Sequence, residues 1–240
     1  MALLELEGLC KRFGAVTVAD RLDLTLQEGE ALGVIGPNGA GKSSMFNLIS
    51  GNLVPSAGRI RYAGEDITSL APPARCRRGI GRTYQIPQPF SHMTVFENLL
   101  VCGAFATGQP ESQVVDHCAQ VLRDTGLLAK ANRPAASLTL LERKRLELAR
   151  ALAGEPRLLL LDEIAGGLGV KLAQALVGTI QAIHAAGTTM IWIEHVVHAL
   201  LAVATRLVVI NFGALLTQGD PQAVMASEAV QRIYLGLEAA

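Results

Sequence analysis

The residues Gly36-Pro37-Asn38-Gly39-Ala40-Gly41-Lys42-Ser43 fit the pattern Gly-x-x-x-x-Gly-Lys-Ser/Thr, a spacing that cradles nucleotide phosphates. Glycines at 36, 39 and 41 let the backbone wrap closely, so that successive N–H groups converge on an anion. Lys42 supplies a charge for the β- and γ-phosphates, and the Ser43 hydroxyl suits a magnesium ion. Ser44 opens a helix whose dipole adds positive potential at the same point. The motif implies binding of ATP or GTP.

Two further apolar runs end in groups able to act on a phosphate. Leu158–Leu161 leads into Asp162-Glu163, and in doubly wound sheets ligands meet the C-terminal ends of the strands. Asp162 is therefore placed to hold Mg²⁺, and Glu163 to orient or deprotonate an attacking water. Thr188–Ile193 leads into Glu194-His195, where an imidazole can hydrogen-bond a γ-phosphate oxygen. Gln85 follows Gly79-Ile80-Gly81-Arg82-Thr83-Tyr84, and its amide can ligate a metal and couple neighbouring segments.

The elements that must position these groups are legible in the hydrophobic pattern. Residues 2–30 alternate apolar and polar (Leu4, Leu6, then Leu22, Leu24, Leu26), which predicts antiparallel strands. Ala31–Ile35 predicts the buried strand before the phosphate loop, and Ser44–Ser50 the helix after it, ending before Gly51. Residues 54–68 predict a hairpin. From 92 to 155 the period becomes helical, and Leu158–Leu161, Thr188–Ile193 and Leu207–Ile210 return to short buried strands. The predicted fold is α/β: one domain over 1–240, a mixed or parallel sheet flanked by helices, with a helical insert at about 86–155.

Bulk properties exclude several functions. The 240 residues carry 21 Lys+Arg and 21 Asp+Glu, so no net charge draws the chain to nucleic acid. The local cluster Arg75, Arg77, Arg78 and Arg82 is expected to be a solvated face. Cys10, Cys76, Cys102 and Cys118 are widely spaced, as in reduced cytosolic thiols. Mean hydropathy is +0.34, yet the best spanning candidate, Val196–Ile210, contains His198 and Arg206 and is short of the roughly 20 apolar residues required. The N-terminus, with Glu5 and Glu7, lacks the layout of a signal peptide.

Phe13 in Lys11-Arg12-Phe13-Gly14, the phosphate loop, Gln85, a helical stretch, Asp162-Glu163 and His195 follow one another in an order that resembles the ATP-binding subunits of ABC transporters. The resemblance covers essentially the whole chain. Met93-Thr94-Val95-Phe96-Glu97-Asn98 and the C-terminal Gln218-Gly219-Asp220-Pro221, then Val230 to Gly236, are similar to the branched-chain amino acid uptake (LivG-type) group. It implies that Phe13 stacks on adenine, favouring ATP, that Gln85 is the Q-loop residue, Glu163 the base and His195 the switch histidine. It also implies head-to-tail ATPase pairs beneath transmembrane permease subunits, at the cytoplasmic face of the membrane. Urea or amide uptake and lipopolysaccharide export share much of this pattern. A soluble nucleic-acid ATPase, a small-molecule kinase and a regulatory module that barely hydrolyses ATP stay open.

Two departures stand out. The family's Leu-Ser-Gly-Gly-Gln signature is Leu138-Thr139-Leu140-Leu141-Glu142 here. Thr139 keeps a hydroxyl for a γ-phosphate, but a leucine replaces each glycine, and donates the same N–H only with negative φ. Ile164-Ala165-Gly166-Gly167-Leu168-Gly169 lacks the proline and final aspartate usual after the base. The expectation is a sound site on this chain's own phosphate loop, an altered signature, and a different ATPase subunit as partner, with a pair of identical chains the alternative.

Overall fold

The computed structural model describes residues 1–235; Gly236, the end of the C-terminal stretch quoted above, lies outside the described residues. In chain order the strands are β1 (Ala2–Phe13), β2 (Val16–Gln27), β3 (Ala31–Ile35), β4 (Ala57–Tyr62), β5 (Glu65–Asp66), β6 (Ile80–Arg82), β7 (Leu158–Asp162), β8 (Thr189–Ile193), β9 (Arg206–Asn211) and β10 (Ala214–Gly219). The helices are α1 (Lys42–Ile49), α2 (Pro72–Cys76), α3 (Val95–Thr107), α4 (Glu111–Asp124), α5 (Leu140–Leu152), α6 (Val170–Ala185), α7 (Val197–Leu201), α8 (Pro221–Ala226) and α9 (Glu228–Leu235). These form two compact units, Met1–Pro72 with Thr189 onward, and Pro73–Thr188.

In the first unit, β2, β1, β4 and β5 make an antiparallel sheet. Its register sets Leu4 opposite Leu26, Leu6 opposite Leu24 and Leu9 opposite Leu22. Across the other side of β1, Leu4 faces Tyr62 and Leu6 faces Ile60. All of these side chains are buried, so the alternation read in the sequence is the core face of this sheet. The same unit holds β10, β9, β3 and β8 in that order. β3 runs parallel to both β8 and β9, and every residue of β3 and β8 is buried. Unbroken apolar runs are what a strand covered on both faces requires.

The hydrophobic stretch Val196–Ile210 divides between α7 and β9. Arg206, which argued against a membrane span, donates to the Glu30 carboxylate at 2.6 Å and to the Gln218 amide oxygen at 2.6 Å. Among the described residues no helix is long and apolar enough to cross a membrane.

In the second unit, β6 runs parallel to β7, with Ile80 beside Leu158 and Arg82 beside Leu160. Helices α3, α4 and α5 bury Val95, Leu99, Val114, Cys118, Leu122 and Leu146 in a common core. Val114 is buried and Val115 exposed, because an α-helix of 3.6 residues per turn turns adjacent side chains apart. Thr94 caps α3: its hydroxyl accepts from the Glu97 N–H at 3.1 Å, and Glu97 accepts from the Thr94 N–H at 2.7 Å. This reciprocal box starts the helix, and Gly108, in the left-handed region at φ 70, ends it.

All four cysteines are free thiols. Burial pushes the Cys118 thiol up to about 11 and also raises Cys76, which leaves both protonated and unreactive at neutral pH.

The basic cluster corrects the sequence reading. Arg75 is 1% exposed, and Arg82 turns inward to the Asp162 carboxylate at 3.0 Å, with its side chain 8% exposed. Arg77 lies over the Phe105 ring, 4.8 Å from its centroid. A guanidinium with a carboxylate or an aromatic face to meet gains more by turning in than a local charge count suggests.

Candidate active site

The phosphate loop lies wholly within the first unit, between β3 and α1. Helix α1 starts at Lys42, two residues before the Ser44 expected from sequence, because Gly41 closes the loop as its cap at φ 103. Only glycine suits this turn. A Cβ on Gly41 would come within 2.3 Å of the Val18 carbonyl oxygen, and one on Gly36 within 2.1 Å of that of Ile210. Lys42 is 5% exposed, and its ammonium donates to the carbonyls of Gly36 at 2.7 Å and Pro37 at 2.9 Å. The ammonium thus spans the loop and braces its curvature. Ala40 is buried beneath it, while Asn38, Gly39 and Ser43 are exposed, and Pro37 and Ser44 are half-buried.

Phe13 closes β1 opposite Val16, 51% exposed, with the Lys11 ammonium 5.0 Å from the ring centroid. An aromatic face left open at a strand end is a platform for stacking. At the end of β8, Glu194 is 1% exposed and accepts from the His195 N–H at 3.1 Å and the Val196 N–H at 3.5 Å. It holds the turn on which the exposed His195 stands.

The second unit brings together three of the predicted residues. Gln85, after β6, donates from its amide to Glu163 Oε2 at 2.5 Å. Glu163 follows directly on Asp162, the last residue of β7. The Thr83 hydroxyl accepts from the Asp162 N–H at 3.1 Å, and Arg82 stacks on Tyr84 at 4.9 Å while pairing with Asp162. Glu163 adopts φ 46, a left-handed backbone that costs a non-glycine residue on the order of 1–2 kcal/mol. Its carbonyl accepts from the Gly166 N–H at 3.2 Å, which fixes the turn through Ile164 and Ala165, both 1% exposed. The segment without the usual proline is therefore ordered by burial and by this turn.

Thr139 is the cap of α5. Leu140 and Leu141 are the first two residues of that right-handed helix, so their N–H groups have the orientation that two glycines there would give. Leu140 projects a side chain beside them, 45% exposed. The Thr139 N–H itself is taken: it donates to Glu142 Oε2 at 2.9 Å, and Lys130 pairs with the same carboxylate. Lys130, then the Thr139 N–H, hold the Glu142 carboxyl down at about 2. The Glu142 carboxylate is thus committed to the helix start, with its charge matched by Lys130.

Because the Glu142 pKa is lower in the folded chain than in the unfolded one, its contribution is fully present above about pH 4.5 and lost as pH falls toward 2. Glu142→Gln is expected to lower unfolding stability by about 1–2 kcal/mol at pH 7. The deficit against the parent should shrink toward zero near pH 2. Urea titrations of both chains across that range check it, and a pH-independent deficit would rule out the ionic cap.

Among the described residues no group of three or more His, Cys, Asp or Glu is placed to hold a metal. Ser43, Asp162 and Gln85 each carry a hard oxygen, the donor type that Mg²⁺ takes beside phosphates and water. Several participants carry no sequence signal of their own. Arg82, Lys144 and Glu147 become visible only as buried charges on β6 and α5, although a charged residue at an apolar position of a helical pattern is a usable hint.

The ABC transporter family model matches residues 19–166. The chain is 35% identical to the high-affinity branched-chain amino acid transport ATP-binding protein BraF of Pseudomonas aeruginosa and 34% identical to LivG of Escherichia coli K12, over 98% of each chain. It is 32% identical to the lipopolysaccharide export ATP-binding protein LptB of Escherichia coli K12, again over 98% of both. Among solved structures, the ADP conformation of an ATP-binding cassette of an ABC transporter superposes with a TM-score of 0.89 at 30% identity, covering 99% of this chain and 100% of that one. With a glycine-built phosphate loop, a strand ending in Asp162-Glu163 and a glutamine bonded to that glutamate, the chain belongs to the ABC transporter family of ATP-binding proteins.

Proposed function

We propose that this chain is the ATP-hydrolysing subunit of an ABC importer for branched-chain or related amino acids, working beneath transmembrane permease subunits at the cytoplasmic face of the membrane. The observation that carries the hydrolytic reading is the Gln85–Glu163 hydrogen bond at the end of β7. It orients the Glu163 carboxylate at the C-terminal end of a buried strand, where an attacking water would be met.

In this reading the phosphate loop grips ATP through backbone N–H groups and Lys42, and Phe13 stacks on the adenine. Ser43, Asp162 and Gln85 would hold Mg²⁺, which when bound neutralises charge on the phosphates. Glu163 accepts a proton from water as its oxygen attacks the γ-phosphorus. The bond from that phosphorus to the β–γ bridging oxygen breaks, giving ADP and phosphate. Gln85 aligns Glu163, and His195 donates to a γ-phosphate oxygen, so that loss of this phosphate releases the contact.

Thr139 is offered to the nucleotide of a second ATPase subunit. The altered signature Leu138-Thr139-Leu140-Leu141-Glu142 favours a different ATPase as the partner, one that brings a standard signature. The substrate class rests on the branched-chain amino acid relatives alone, and the exposed Ile86 and Phe90 beside Gln85 are the proposed contact for the permease within the helical segment 86–155.

The test is steady-state ATP hydrolysis by the chain alone and together with a second ATPase subunit and permeases in vesicles. The expected result is a low rate alone and a rise of about tenfold or more in the assembly, with uptake of a branched-chain amino acid. A full rate from the chain alone, rising as the square of its concentration, would overturn the mixed pair. ADP formation that requires a small-molecule acceptor, with the phosphoryl group transferred to it, would overturn the hydrolytic reading.

A further inference from the structure

Helix α5 starts at the altered signature, yet three of its charged residues, spaced three apart, serve the catalytic half-site of the second unit. Lys144 is 4% exposed, and its ammonium lies 3.5 Å from the Glu163 carbonyl oxygen. Glu147 is 4% exposed, pairs with Arg150 at 3.0 Å and accepts hydrogen bonds from the backbone N–H groups of Tyr84 and Gln88. Arg150 also donates to the Gln88 carbonyl at 2.9 Å and lies over the Phe90 ring, 5.0 Å from its centroid. The loop from Tyr84 to Phe90 is thus gripped on both its N–H and its C=O groups by one helix.

The far end of that loop is tied as well. Asn98 of α3, wholly buried, accepts from the Phe90 N–H at 2.8 Å and donates to the Phe90 carbonyl at 3.1 Å. Between these anchors stands Gln85, exposed, and its partner Glu163 is held from behind by Lys144. A buried carboxylate is costly unless its lone pairs are filled. Burial raises the Glu147 carboxyl, while Arg150 and the two loop N–H groups pull it back. Its lone pairs are filled by Arg150 and by the loop, which ties the buried charge to the loop it holds.

We propose that Glu147 and Arg150 are positioning residues that clamp the Gln85 loop to the signature helix and so hold Gln85 in place against Glu163. The catalytic consequence rests on the roles proposed above for Gln85 and Glu163; the clamp itself does not.

The experiment is amide hydrogen exchange on the full chain, with ATP affinity by calorimetry and hydrolysis in the assembled system. Glu147→Gln loses the charge and turns an amide NH₂ toward backbone donors. Peptides covering 84–90 are expected to exchange about tenfold faster or more, a local opening, while β7 and the rest of α5 keep their protection. Hydrolysis should fall about tenfold or more through misplacement of Gln85, with ATP affinity changed less than about twofold, since the phosphate loop is built within the first unit and the clamp within the second.

Arg150→Lys keeps the charge but loses the planar fork, and should give an intermediate effect on the same peptides. It also serves where Glu147→Gln fails to fold. Unchanged exchange at 84–90 in a folded variant would overturn the clamp, and so would acceleration spread evenly over the unit. Glu163→Gln in parallel separates the readings: loss of hydrolysis with 84–90 still protected leaves the clamp standing on its own. Wild-type hydrolysis in that variant would remove the catalytic role and leave the exchange result intact.

Discussion

Glu163→Gln is expected to lower the hydrolysis rate by about 10²–10⁴-fold while leaving ATP bound. That range is what a positioned general base typically contributes. Binding should survive because the phosphate loop, residues 36–44, is built by its own backbone and braced by Lys42. The substitution is nearly isosteric. An amide at 163 can still meet the Gln85 amide, so the turn at φ 46 and its Gly166 contact should persist. With chemistry stalled, ATP stays and the ATP-paired state of the subunits accumulates. Single-turnover hydrolysis and equilibrium ATP binding on the same preparation give both quantities. A rate within about threefold of the parent, far below the expected loss, would take the base role away from Glu163.

Lys42→Ala carries the second large effect, and it falls on binding. The parent ammonium donates to the carbonyls of Gly36 and Pro37 and bears the one side-chain charge inside the loop sequence 36–44. A hydrogen bond to a charged group contributes about 1.5–3 kcal/mol, and the lysine makes such bonds to the β- and γ-phosphates in this reading. Affinity for ATP should drop by about 10²-fold or more. The two carbonyls would also lose the cation that braces them, so the loop should loosen without loss of the β3–β8–β9 sheet. Calorimetry with ATP, beside a thermal melt to show a folded chain, checks this. Unchanged affinity would refute the phosphate-loop assignment.

The parts of this chain legible in sequence are those whose cause is local. Glycine at 36 and 41 is demanded by positive φ and close backbone approach, and the spacing alone announces it. Ala31–Ile35, Leu158–Leu161 and Leu207–Ile210 are buried strands because they are short, unbroken and apolar. Thr94 and Glu97 spell out a helix start three residues apart. In each case a residue's neighbours in sequence are its neighbours in space, or the pattern repeats with the period of the element.

Charged residues behaved otherwise. Arg82 sits in a run of arginines that looks like a wet face, yet its partner is Asp162, 80 positions away. Glu147 reads as one more polar position of an amphipathic helix, yet it is buried against Tyr84 and Gln88. Glu142 looks like a substitution in a signature, and the fold makes it a cap locked by Lys130. Sequence by itself determined the phosphate loop, the order of elements and the identity of the candidate carboxylates, because backbone conformation and hydrophobic period are written locally. Which carboxylate pairs with a cation, which accepts the Gln85 amide and which clamps a loop was decided by tertiary structure alone. A charge interacts over several ångströms with whatever folding brings beside it, and no period in the chain records that meeting.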